Sequence, residues 1–283
     1  MLGEGPYWST DQSALYWLDI MDQELHRMDE FGRSHSSVRT SAKVHALAIV
    51  SKSRALCTAH AHGLAWLNLT TGALTPVVNP EPDLPTNLLN DARCDRNGRF
   101  WFGSISKKRE PTGSLYSFTQ RTGVVRHAGG LLASNGIVFS PDNRTLYLAD
   151  TYTGVFAFDF DLDCGAVKDQ RLIFPAQSGG QLPDGLTIDQ DGCLWVAMAL
   201  AGKVVRLTPR GAIDGTVEVP STFVTSCTFG GASLDTLFIT SGRAGRPSDE
   251  LATQPHAGAV FVVRTGARGF AENIFADENI SAE

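Results

Sequence analysis

Six polar residues, Glu4, His45, Asn90, Asn135, Asp184 and Ser226, each stand ten or eleven positions before the apolar anchor of a recurring strand. Carboxylate and amide oxygens are hard donors, so Glu4, Asn135 and Asp184 together suit Ca2+, Mg2+ or Mn2+ and admit Zn2+. Two carboxylates crowded at one point repel, and one takes up a proton unless a cation lies between them. Three protein donors leave coordination positions open to water and substrate, as a catalytic cation requires. Each residue alone has a simpler reading. Ser134-Asn135-Gly136 and Pro183-Asp184-Gly185 are ordinary turn sequences, and Asx side chains cap turns far more often than they bind metals. The shared register is what favours one divalent cation.

The elements that would position these residues come from a repeat. A turn followed by a short apolar return strand occurs six times, as in Asn97-Gly98-Arg99-Phe100-Trp101-Phe102 and Asp191-Gly192-Cys193-Leu194-Trp195. Its anchors are Leu15, Leu56, Phe100, Leu146, Leu194 and Leu237, spaced by 41 to 48 residues. A third strand opened by glycine follows, for example Gly154 to Phe158, and then a weaker fourth. Four antiparallel strands repeated at this period predict an all-β, six-bladed β-propeller occupying residues 1–283 as one domain. A β-sandwich also has short strands and turns, but it does not repeat one motif six times at near-constant spacing. Innermost strands of a propeller run parallel along the channel, so their first residues share one rim. Ring closure has two solutions: an outer strand for the last blade from Gly269 to Ala276, or a closing strand lost upstream.

Composition narrows the function. The net charge of −6 has acids and bases interspersed, so there is no basic stripe for a phosphate backbone and no nucleic-acid partner is expected. No apolar run is long enough to span a bilayer, and Met1 is followed by Gly3, Glu4 and Pro6 rather than by a basic, then apolar, leader. Neither a membrane nor secretion is expected. The five cysteines form no C-x-x-C pair and mostly sit in apolar strand patterns, which reads as free thiols in a cytoplasmic protein.

Loops between second and third strands should open at the rim carrying the six polar residues. They bring Asp19, Asp22, His60, His62, Lys107, Lys108, Arg109, Asp150, Tyr152 and Arg243. Most are expected to be solvated loop residues; Asp150, which follows the apolar Leu146 to Ala149, is expected close to the channel. His60-x-His62 in a loop is weak support for a second metal motif. There is no G-x-S-x-G elbow, H-E-x-x-H, P-loop or G-x-G-x-x-G, which removes serine hydrolases and nucleotide enzymes.

Leu2-Gly3-Glu4-Gly5-Pro6, Asn90-Asp91 before Gly98 to Gly103, Ser134-Asn135-Gly136, Pro183-Asp184-Gly185 and Thr225 to Gly231 together resemble the regucalcin, gluconolactonase and luciferin-regenerating enzyme family. The resemblance covers essentially the whole chain. It implies a six-bladed propeller that hydrolyses a small-molecule sugar lactone with one divalent cation. By the same resemblance Glu4, Asn135 and Asp184 are the metal ligands, Asp184 is also the general base, and Asn90 contacts substrate beside the metal. The family commonly has an arginine two residues before that asparagine; this chain has Leu88. Either Lys107, Lys108 or Arg109 replaces its charge from the next loop or the substrate is less polar, and His45 joins Lys107 and Arg109 as a substrate contact. A monomer or weak homo-oligomer is expected. The alternatives are a metal-dependent esterase or organophosphate hydrolase, and a non-catalytic metal-binding propeller.

Overall fold

Alternating apolar residues build six antiparallel sheets in the computed structural model, which describes residues 1–60, 63–177 and 182–276. The first blade is β1 (Gly3–Ser9), β2 (Ala14–Asp19), β3 (Glu24–Asp29) and β4 (Ser36–Arg39). The second is β5 (Val44–Ser51), β6 (Arg54–Ala59), β7 (Gly63–Asn68) and β8 (Leu74–Val78). The third is β9 (Asn87–Cys94), β10 (Phe100–Ser106), β11 (Gly113–Thr119) and β12 (Gly123–Leu131). The fourth is β13 (Ser134–Phe139), β14 (Thr145–Asp150), β15 (Gly154–Asp161) and β16 (Ala166–Pro175). The fifth is β17 (Leu182–Ile188), β18 (Leu194–Ala199), β19 (Lys203–Leu207) and β20 (Ile213–Glu218). The sixth has three strands among the described residues, β21 (Val224–Gly230), β22 (Thr236–Ser241) and β23 (Phe261–Arg264), with a short helix α1 (Ser248–Thr253) before the last. The six-bladed propeller expected from the repeat is the fold observed.

The core lies between blades rather than within them. Tyr7, Leu18, Leu47 and Cys57 join blades one and two, and Trp101, Leu115, Ile137 and Leu148 join three and four. The ring closes where Trp8 stacks on Phe238 at 5.5 Å, with Leu15 beneath. Gly230 makes this packing fit, since a Cβ there would lie 2.6 Å from the Trp8 indole. Two blades share an internal clasp. Asp95 Oδ2 accepts from Trp101 Nε1 at 2.9 Å, and Asp189 Oδ2 accepts from Trp195 Nε1 at 2.9 Å. In each, Oδ1 holds the turn N–H groups, which is why Asp, Gly and Trp recur at fixed offsets.

Residues 269–276 do not form the outer strand expected for the last blade. Gln190 N donates to Arg268 O, Gly269 N to Leu234 O, Phe275 N to Ile49 O and Ala276 N to Gly98 O. The segment therefore crosses from blades five and six to blades two and three, as a strap across the base of the channel. Phe275 is buried against Trp66 and Phe118, and Glu272 reaches inward to pair with Arg93 at 2.8 Å.

Candidate active site

Every innermost strand carries one extra residue at or beside the predicted register position. Asn90 and Asp91 oppose Gly103 alone, Asn135 and Gly136 oppose Ala149, and Asp184 and Gly185 oppose Ala197. In the first blade the irregularity follows Glu4, and in the second His45 is unpaired between Val44 and Ala46. In the sixth it is Thr225, not Ser226, that is unpaired, and its hydroxyl ties to Gly3 O at 2.5 Å. A bulge re-aims a side chain that the pleat would otherwise send into a blade interface. The bulges free His45, Asn90, Asn135 and Asp184 from the pleat at one level.

This explains the glycines after Asn135 and Asp184 better than a turn does, for both lie inside strands. A Cβ on Gly136 would meet Leu186 N at 2.5 Å and Asp184 O at 2.9 Å, and one on Gly185 would meet Ser226 Oγ at 2.0 Å. Glycine lets adjacent innermost strands touch, which draws the functional groups of blades four, five and six together.

One backbone carbonyl fixes the orientation of the amides. Asn90 Nδ2 donates to Ser134 O at 3.0 Å and to Asn135 Oδ1 at 2.8 Å. Asn135 Nδ2 then donates to Thr151 Oγ1 at 2.8 Å, leaving the second lone pair of Oδ1 free. Asn90 Oδ1 faces His45 Nδ1 at 3.3 Å, so that nitrogen carries the proton. Asp150 holds the approach to β13 by accepting from the N–H groups of Leu132 and Ala133 and from the Thr153 hydroxyl.

Glu4 and Asp184 are the electrostatic centre. Burial and then the Asp184 and Asp91 charges push the Glu4 carboxyl well above the usual range. Burial and then Asp91 do the same to Asp184. Burial also raises Asp91, to about 6, against the Ala92 N–H and Arg93, which lower it. No group of three His, Cys, Asp or Glu side chains is placed to hold a metal among the described residues. The expected set has only two such groups, the third donor being the Asn135 amide oxygen. Two carboxylates each raised by burial and by neighbouring acidic charge, beside an amide oxygen with a free lone pair, fit a hard divalent cation.

Beneath the site the channel narrows to a cavity of about 20 Å³ lined by Asp91, Arg93, Ser226 and Glu272, room for about one water. Access is therefore from the mouth. Lys107 lines a larger cavity of about 320 Å³ between blades two and three, with His60 and Leu88. Arg109 lies instead over the Tyr152 ring at 4.7 Å, toward blade four. Lys108 is an exposed loop residue, Arg243 sits beside Met1, and Asp22 faces the N-terminal amine at 3.4 Å. Asp19 clasps backbone N–H groups, a turn role. His62 lies outside the described residues. Asp91 was missed in the sequence although the Asn90-Asp91 pair was visible; only the two-on-one bulge shows that both residues leave the pleat. Glu272 gave no signal.

Fold and site define a six-bladed propeller with a hard-donor cluster at one mouth. The model of the SMP-30/Gluconolactonase/LRE-like region matches residues 2–243, and the chain belongs to that family. It is 34% identical over 288 residues to a 6-deoxy-6-sulfogluconolactonase of Pseudomonas putida, covering 98% of this chain and 95% of that one. It is 32% identical to regucalcin of Xenopus laevis, over 97% and 95% of the two chains. Among solved structures, a calcium-binding regucalcin of Agrobacterium tumefaciens superposes with a TM-score of 0.90 at 27% identity, covering 97% and 94%. No helix among the described residues is long and apolar enough to cross a membrane.

Proposed function

We propose that the protein opens a sugar lactone to the free acid with the help of one divalent cation held by Glu4, Asn135 and Asp184. Family membership supports the lactone hydrolase class. The observation that supports the cation is that Glu4 and Asp184 are each raised by burial and by a neighbouring carboxylate, beside an oriented amide oxygen. When bound, the cation supplies Lewis-acid polarisation of the ring carbonyl and stabilises the developing oxyanion.

The chain's own residues do the rest. Asp184, ionised when the site is loaded, takes the proton of the attacking water. Asn90 both orients Asn135 and presents Oδ1 at the site, where it holds His45. His45 is held neutral: burial pushes it down to about 4, with the Asn90 hydrogen bond opposing and the charges of His60, Lys43 and Lys107 adding. Its Nε2 is a buried acceptor with no partner, aimed to receive a substrate hydroxyl. Lys107 on the blade-three side and Arg109 on the blade-four side flank the mouth.

The test is a pH-stat assay over aldonolactones and aldarolactones, with EDTA and with Ca2+, Mn2+ or Zn2+ restored. Asp184→Ala should lose hydrolysis while keeping the β-rich circular dichroism of the parent. A fully active Asp184→Ala protein would overturn the assignment, metal binding without turnover would leave a binding protein, and turnover confined to simple esters would leave an esterase.

A further inference from the structure

We infer that Thr58 is a positioning residue of the site, its buried hydroxyl setting the relation between the substrate contacts His45 and Asn90 without itself touching substrate. The inference rests on the lactonase reading and deepens it.

Thr58 lies on β6 opposite Ala46, the residue that follows the unpaired His45 of β5. Its side chain is wholly buried. The hydroxyl accepts from Ala46 N at 3.0 Å and donates to Asn90 O at 2.6 Å. Both partners are backbone groups, an N–H that only donates and a C=O that only accepts, so the hydroxyl has one orientation. A single oxygen therefore ties the bulge that carries His45 in blade two to the bulge that carries Asn90 in blade three.

This tie stands where the bulges lack a glycine contact. At the next three junctions, from blade three round to blade six, glycine lets adjacent strands touch: a Cβ on Gly103 would collide with Ser134 Oγ, one on Gly136 with Leu186 N, and one on Gly185 with Ser226 Oγ. Asn90 is followed by Asp91 instead, and the Thr58 hydroxyl spans the gap from blade two. The junction of blades six and one uses the same device, for Thr225 Oγ1 donates to Gly3 O beside Glu4.

Asn90 is thus held at both ends. Its Nδ2 donates to Ser134 O and Asn135 Oδ1, so blade four holds the amide, while Thr58 holds the main chain. What remains for the substrate side is Oδ1, 3.3 Å from His45 Nδ1. A bulged residue is left out of the strand ladder, so its position depends on ties of this kind. Removing the hydroxyl releases Asn90 O and Ala46 N together, and the two substrate contacts lose their common reference.

The experiment separates the hydroxyl from the methyl. Thr58→Val keeps the shape and loses the hydroxyl; Thr58→Ser keeps the hydroxyl and loses the methyl. With metal-loaded enzyme and an aldonolactone, Thr58→Val should lower kcat/KM about tenfold or more, toward the roughly 100-fold cost of misplacing a reacting group, while Thr58→Ser should stay within about twofold of the wild type although it melts lower. In an Asn90→Ala background Thr58→Val should cost little further, because the contact it positions is gone. Rates that follow melting temperature across the variants, or effects of Thr58→Val and Asn90→Ala that simply multiply, overturn the inference and leave the lactonase reading standing. Should Thr58→Val fail to fold, Thr58→Ala against Thr58→Ser makes the same comparison, and equal rates overturn the inference. A wild type that opens no lactone with metal restored removes both.

Discussion

Asn90 Nδ2 and Asn135 Oδ1 are 2.8 Å apart, and this one bond decides which face of both amides meets the site. Because Nδ2 of Asn90 also serves Ser134 O, neither amide can flip without breaking two bonds. Asn90→Asp would set a carboxylate oxygen against two acceptors and turn Asn135 away. The expected outcome is a loss of about 100-fold in kcat/KM, the scale of misplacing a reacting group, with thermal unfolding little changed. Steady-state kinetics beside a melting curve checks it.

Gly185 is a packing residue for the site. A Cβ there would stand 2.4 Å from Ser226 Cβ and 2.7 Å from its Cα, and backbone cannot step aside as a flexible side chain can. Gly185→Ala should cost about 1–3 kcal/mol or more, the range for overpacking. Activity should fall with it, because Asp184 moves with the strand. Urea midpoints and kcat report both.

The anchors and the register of Glu4, Asn135 and Asp184 were legible because turn chemistry repeats with each blade, and Asp95 and Asp189 show what imprints it. The meaning of Asn-Gly and Asp-Gly was not, since a turn and a close contact between neighbouring blades ask for the same residue. The strap at 265–276 was illegible for another reason. Its backbone–backbone hydrogen bonds go to four different blades, so it has no strand period, and only Phe275 is a buried apolar anchor. The Arg109 and Tyr152 stack likewise depends on loops from two blades meeting at the mouth.

The strap should matter to stability more than its lack of secondary structure suggests. Arg93 and Glu272 pair inside the channel, and Thr228 Oγ1 adds a hydrogen bond to the same Glu272 oxygen at 3.0 Å. Removing one partner of a buried pair strands the other charge. Glu272→Ala should therefore destabilise by about 3–5 kcal/mol, whereas the exposed Arg171–Asp159 pair should tolerate Asp159→Ala within about 1 kcal/mol. Equal effects in chemical denaturation would refute the strap's role.

His127 gives a pH signature away from the site. Burial, with Arg99 adding, lowers its imidazole to about 4, and its ring lies against Trp101 at 4.4 Å. The unfolded chain, with a value of about 6.5, binds the proton more tightly. The contribution is thus complete above about pH 6.5 and is lost as pH falls toward 4. Raised carboxylates such as Asp91 act with the opposite sign, so the informative quantity is the difference between wild type and His127→Gln. That difference should shrink as pH falls from 7 to 4.5; a constant difference in melting temperature would count against it.

Cation binding should be readable as stability, independent of turnover. A ligand that binds only the folded chain stabilises it by about 2.7 kcal/mol at a concentration one hundred times its Kd. Ca2+ or Mn2+ added to EDTA-treated protein should raise the melting temperature progressively, and Glu4→Gln should abolish most of the rise. The sign of the variant's own effect is diagnostic. In metal-free protein Glu4 is a buried carboxylate raised by burial and by Asp184, so neutral glutamine relieves repulsion. Glu4→Gln should melt at or above the wild type in EDTA and below it in saturating cation. A crossing of the two curves is what a cation shared by Glu4 and Asp184 demands, and parallel curves would mean that the two carboxylates never bind one ion.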